Sequence, residues 1–237
     1  MKTLGIDGCR AGWIAISLDD EGAGYWLLES DEELKQYLED FDRIFIDVPI
    51  GLTDEDYMRT CDQELRDVLG PDYQASVFNP PIRPALYSPT YAEASMTSYE
   101  ITGKKISTQA WNITPNIKTI DQFLQDDEEL REKVFESHPE LLFRILNGNN
   151  SILQKKATKK GLRHRLKLLK DRSKYADDFF RDIKEEYRRN QVDEDDIVDA
   201  MALAWFALQS VEKEELKTLP EEPPTDSTGL PMAIHYV

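Results

Sequence analysis

The sequence predicts a mixed α/β domain, and three features of its first fifty residues carry that prediction. Three short apolar segments follow one another with turn residues between them. A capped amphipathic segment comes next, and then a fourth apolar run, RIFIDVPIGL. A β-β-β-α-β order of this kind joins the fourth strand in parallel across its helix.

Thr3–Asp7 and Trp13–Leu18 are the first two strand candidates, and Tyr25–Glu29 (YWLLE), after the turn DDEGAG, is the third. In SDEELKQYLEDF, Ser30 and Glu33 have capping-box spacing, and Leu34, Tyr37 and Leu38 share a helical face. Arg43–Val48 is the fourth strand. Thr53–Gly70 is expected to be helical, with Gly70 near its stop. Five prolines across 71–90 predict a loop or flap, and two helices follow near 89–102 and 107–125. Lys133–Ser137 is a fifth strand and His138–Leu146 a short helix. The segment 155–190 is a basic helical region. Asp193 caps the apolar helix DIVDAMALAWFALQ, and LPMAIHYV is a terminal strand. This organisation predicts a single domain over 1–237 with an insertion at 71–130.

Composition narrows the function. The chain has 237 residues and 40% apolar content, enough for a sizeable core. No run approaches the ~18 apolar residues that span a bilayer, so no membrane partner is expected. MKTLGIDGCRAGW lacks an apolar signal core, and Cys9 and Cys61 cannot form a disulfide framework. A cytoplasmic protein with reduced thiols is the expectation. Net charge is −17, which disfavours coating nucleic acid through Lys and Arg. Yet residues 155–174 hold ten Lys or Arg against one Asp, leaving −26 on the rest of the chain. Such a run is either a solvated helix face or a footprint for a polyanion.

The carboxylates are the most informative residues. Asp7 ends the first strand and Asp47 the fourth, and sites in open α/β sheets gather beyond the carboxyl ends of strands. Asp47 follows Ile-Phe-Ile and precedes a Pro-Ile-Gly turn. It has three readings: a turn-forming side chain, a satisfied buried acid, or a metal ligand. Two aspartates side by side repel unless a cation lies between them, and Mg²⁺ and Mn²⁺ prefer carboxylate oxygens. Asp196 and Asp199 are three apart on one helical face that continues into Ala202 and Leu203. Helix capping explains Asp193, Glu194 and Asp195, but explains Asp199 poorly. Glu136, at the end of the fifth strand, is a further candidate. His138, before Pro139, reads as a capping residue more readily than as a ligand or a general acid/base.

Taken in order, GIDGCRAGW, IDVPIGL, RTCDQELRDVLG, SVFNPPIR, ESHPE and DDIVDAMALAW resemble domain-of-unknown-function family four-two-nine, described as predicted RNase H-like nucleases. The resemblance runs nearly end to end. It implies an RNase H-like fold: a mixed five-stranded sheet of order 3-2-1-4-5, strand 2 antiparallel, flanked by helices. DIVDAMALA is also similar to the last acidic motif of RuvC-type resolvases, where two aspartates three apart join the metal site. By that resemblance Asp7, Asp47, Asp196 and Asp199 are the metal-binding and catalytic acids; in the expected mechanism Asp7 and Asp47 bridge the metals and Asp199, Asp196 or Glu136 completes the shells. Two departures stand out: Ala11 where the family has a second glycine, and Asn79-Pro80-Pro81 where it has Pro-Ala-Pro.

The expected activity is phosphodiester hydrolysis of nucleic acid at two Mg²⁺ or Mn²⁺ ions about 3.5–4 Å apart. Arg10 and Arg83 would contact phosphate as forked donors. Lys155, Lys156, Lys159, Lys160, Arg163 and Arg165 would grip the backbone. Two alternatives stay open: a nucleotide- or phosphate-binding phosphotransferase of related fold, as in the sugar kinases, and a non-catalytic binding module. The phosphotransferase would normally bring a glycine-rich phosphate loop and a second β-β-β-α-β half, and GIDGCRAG matches such a loop only weakly.

Overall fold

A computed structural model describes all 237 residues. The chain opens with β1 (Thr3–Cys9), β2 (Gly12–Ser17), β3 (Gly24–Leu28), α1 (Asp31–Asp40) and β4 (Arg43–Ile46). Six helices follow: α2 (Thr60–Leu69), α3 (Arg83–Leu86), α4 (Tyr91–Thr102), α5 (Thr108–Asn112), α6 (Thr114–Asp126) and α7 (Glu128–Arg131). Then come β5 (Val134–Glu136), α8 (Pro139–Leu146), α9 (Lys159–Lys170), α10 (Ala176–Glu186) and α11 (Glu194–Glu212). Two short strands, β6 (Lys217–Leu219) and β7 (Ile234–Tyr236), close the chain. They form their own two-stranded sheet, and β7 falls in the expected terminal strand.

These elements make two compact units. One comprises Met1–Asp47, Glu132–Lys217 and His235–Val237; the other comprises Val48–Arg131 and Thr218–Ile234. The segment 71–130, expected as an insertion, therefore belongs to a larger unit that starts directly after Asp47.

The first unit holds a five-stranded sheet of order β3-β2-β1-β4-β5. β2 is antiparallel to both β1 and β3, while β4 runs parallel to β1 and β5 parallel to β4. This is the order the family resemblance implies. α1 starts as the sequence predicts: Ser30 Oγ accepts the Glu33 N–H at 3.2 Å, and Glu33 Oε2 accepts the Ser30 N–H at 3.2 Å. β1 runs two residues beyond Asp7, because Cys9 still pairs with Gly12 in the hairpin to β2. Its parallel ladder with β4 ends earlier, at Ile6 and Ile46.

α11 lies against β1. At Gly5 an added Cβ would fall 2.1 Å from the Ala204 nitrogen and 2.4 Å from the Ala200 oxygen, so only glycine permits this approach. Ala200, Met201, Leu203, Ala204 and Phe206 are buried in one core with Ile14, Ile16, Phe45 and Phe143. Fully burying a side chain of the larger kind contributes about 1.5–3 kcal/mol. The helix is thus fixed on the sheet by its apolar length, and its acidic first turn is carried to the strand ends.

In the second unit, α2 begins at Thr60 rather than Thr53. Arg59 keeps an extended backbone, forks onto the buried Asp62 at 2.6 and 2.9 Å, and donates to the Ile50 carbonyl at 3.0 Å. That network holds the preceding residues out of the helix. The proline-rich stretch contains only the four-residue α3 and a 3₁₀ turn at Gln74–Ser76. The helix expected over 107–125 is two helices, broken at Ile113, with Pro115 in the first turn of α6 where a missing N–H costs nothing.

Candidate acidic site

Strand register brings the aspartates together. Gly5 pairs with Phe45 and Ile6 with Ile46, so Asp7 and Asp47 are the next residues on two adjacent parallel strands. The Asp47 N–H donates to the Ile6 carbonyl at 3.2 Å and extends the ladder by one bond. Side chains alternate along a strand, so Gly5 and Asp7 share a face, as do Phe45 and Asp47. That is the face α11 covers.

α11 supplies the rest. Asp199, within its second turn, is 1% exposed. The Lys156 ammonium, reaching in from the loop before α9, donates to Asp199 Oδ2 at 2.8 Å. Asp196 is partly buried and is already engaged, since its Oδ2 accepts the Asp193 N–H at 2.9 Å in a capping box. The helix start therefore uses Asp196 structurally, which capping by Asp193 to Asp195 alone had not anticipated.

The electrostatics follow from this crowding. Burial, and then the charges of Asp47, Asp199 and Asp196, hold the Asp7 carboxyl well above the usual carboxylate range, against the pull of Lys156. Asp47 is pushed up to about 7, by burial first; Lys156 opposes the rise, and Asp199 and Glu140 add to it. Asp196 is pushed up to about 6, mainly by burial, with its cap bond pulling the other way. Lys156 moves upward, held protonated chiefly by Asp199.

Glu136 does not join this group. It pairs with Ile46 while Phe135 pairs with Phe45, so its side chain leaves the opposite face of the sheet. The acid from this region whose charge reaches Asp47 is Glu140, in the first turn of α8. His138 caps α8, its Nδ1 accepting the Glu140 N–H at 3.3 Å.

The basic residues divide. Arg165, expected to grip a nucleic-acid backbone, is 1% exposed and forks onto Glu140 at 2.6 and 2.9 Å. A guanidinium buried that deeply is held in place by its carboxylate partner. Arg83, in the second unit, is likewise spent on Asp121 and Asp226. Lys155, Lys159, Lys160 and Arg163 are exposed, as is Arg10. Lys156 is the residue whose place was not legible: nothing separates it from Lys155 except an acid 43 residues later. The two cysteines are free, and burial raises the Cys9 thiol to about 11, which makes it a poor nucleophile.

No group of three or more His, Cys, Asp or Glu side chains is gathered closely enough to hold a metal ion as arranged here. The donors are nevertheless of the right kind: hard carboxylate oxygens, mutually repelling, at the carboxyl ends of two central strands. No helix is long and apolar enough to cross a membrane.

The fold and this cluster define the class, an α/β protein with buried acids at the centre of a 3-2-1-4-5 sheet. The chain matches the family model described as "Protein of unknown function (DUF429)" over residues 5–225, and it belongs to that family. No curated protein and no solved structure matches it.

Proposed function

We propose that this protein is a metal-dependent, RNase H-like nuclease that hydrolyses phosphodiester bonds of nucleic acid, with its chemistry in the first unit. The observation that carries this reading is the placement of Asp7 and Asp47 as next residues on two adjacent parallel strands, on the sheet face that α11 covers and close enough to Asp199 for the charges to be felt. Asp7 and Asp199 are buried and Asp47 half-buried, and crowding three acids is costly to a fold when a single ammonium, that of Lys156, offsets them. Asp7, Asp47 and Asp199 would hold Mg²⁺ or Mn²⁺, and Asp196 would join them by giving up its cap bond. Bound there, the cation supplies an activated water and a counter-charge for the leaving oxygen. The protein's own part is orientation: strand register fixes Asp7 beside Asp47, and Gly5 lets α11 bring Asp199 to them. Lys155, Lys159, Lys160 and Arg163 form an exposed basic group for backbone phosphates.

The test is an Mn²⁺ titration of the apo protein by EPR, with wild type beside Asp7→Asn and Asp47→Asn, followed by cleavage assays on single-stranded, duplex, hybrid and junction substrates. Saturable Mn²⁺ binding and Mn²⁺-dependent cleavage, both lost in each variant while circular dichroism is unchanged, is the expected result. Cleavage unaffected by Asp47→Asn would remove Asp47 from the mechanism.

A further inference from the structure

We propose that Lys156 is a resident counter-cation of the acidic cluster, and that a divalent ion must displace its ammonium from Asp199 to bind. The inference rests on the metal-site reading above and adds the event that opens the site.

Three observations support it. The ammonium is 2.8 Å from Asp199 Oδ2, so it occupies the space a cation would share with that carboxylate. The pair is lopsided in exposure, with the Asp199 side chain 2% and the Lys156 side chain 43% accessible. Asp199 therefore cannot leave, whereas the lysine has an open path to water along its flexible stem. Finally, the backbone presenting Lys156 is anchored. Arg165 Nη1 donates to the Gln154 carbonyl at 3.1 Å, and Thr158 Oγ1 donates to the Lys155 carbonyl at 2.7 Å while accepting the Gly161 N–H at 3.1 Å. A Cβ at Gly161 would fall 2.1 Å from the Lys155 oxygen, so this backbone rests directly on the first turn of α9. With the main chain fixed at both sides, release of the ammonium is a rotation of one side chain.

The Lys156 ammonium brings one positive charge to the three carboxylates whose charges it opposes. A divalent ion carries the greater charge and recruits several oxygens at once. Lysine release then adds a free cation to the segment that carries the exposed Lys155 and Lys159.

The experiment is Mn²⁺ binding by EPR to wild type and Lys156→Met at fixed pH and ionic strength. Without the competing ammonium, Mn²⁺ is expected to bind about tenfold more tightly or better, the order of effect of removing a like charge a few ångströms away. A second readout uses the wild-type chain alone, in case the variant folds poorly: acylation of lysines by a water-soluble amine reagent, read by mass spectrometry with and without Mn²⁺. Lys156 is expected to react several-fold faster with Mn²⁺ present, relative to Lys155. Equal or weaker affinity in Lys156→Met, with Lys156 labelling unchanged by Mn²⁺, overturns the displacement while leaving the metal site standing. Absence of Mn²⁺ binding in both proteins overturns the displacement and the metal reading together.

Discussion

Replacing Asp47 by asparagine is expected to stabilise the protein at alkaline pH, although it removes a residue of the proposed active site. Asp47 is harder to ionise in the folded chain than in the unfolded one: its carboxyl rises from 3.8 to about 7, chiefly through burial. An acid displaced in this direction contributes stability at low pH, where the folded state holds the proton more firmly. That contribution is lost as pH climbs from about 4 through 7 and does not return above it. A rise of this size corresponds to about 4 kcal/mol at about 1.4 kcal/mol per pH unit. An amide accepts hydrogen bonds less well than a carboxylate, so a net gain of about 2–4 kcal/mol at pH 8 is expected for Asp47→Asn. The gain should shrink toward zero at pH 4. Urea unfolding of both proteins at pH 4, 6 and 8, compared at equal slope, measures it. An Asp47→Asn protein less stable than wild type at pH 8 would refute the reasoning. The carboxylate would then be a satisfied structural acceptor, the bland alternative its sequence context allows.

Two further variants test the scaffold. Arg83→Ala leaves the buried carboxylates of Asp121 and Asp226 without their guanidinium and should cost about 3–5 kcal/mol in urea unfolding. Arg83→Lys should recover only part of this, since an ammonium cannot fork onto two carboxylates. Gly5→Ala places a methyl 2.1 Å from backbone on α11, which cannot rotate away, so a loss of about 3 kcal/mol or more is expected by the same method. Gly22→Ala, with nothing within 4 Å of the added carbon, is the matched control and should be nearly neutral.

Much of the first unit was legible in the sequence because its signals are local. Ser30 and Glu33 announce a capping box by spacing alone, and Asp47 announces a strand end by standing after an apolar run and before a turn. The position of Asp199 a full turn inside an apolar helix also set it apart from the capping acids before it. Non-local facts were hidden. Glu136 stands at the end of the fifth strand, and the pairing of Phe45 with Phe135 reveals that it leaves the other face of the sheet from Asp47. Arg165 looked like one of a run of surface bases, and only the fold shows Glu140 waiting for it. In the second unit, the start of α2 is set by the reach of Arg59 to the Ile50 carbonyl, which helix propensity cannot foresee. Charge composition fails in the same way, because it counts residues without knowing which are already paired.

That last point changes what the basic run means. Of its ten cations, Lys156 is held by Asp199, Arg165 by Glu140, Lys167 by Asp171, Lys170 by Asp177 and Lys174 by Asp20. Arg172 donates to the Leu146 and Leu168 carbonyls. The exposed remainder, Lys155, Lys159, Lys160 and Arg163, clusters at the start of α9, next to the loop that carries Lys156. Four cations match about four phosphates, too few to hold an extended duplex against a chain of net charge −17. In the proposed function they serve to seat a short stretch of backbone at the acidic site. On that proposal the remaining attraction would come from a cation held by the aspartates, and binding of a polyanion and loading of the site would be one coupled event.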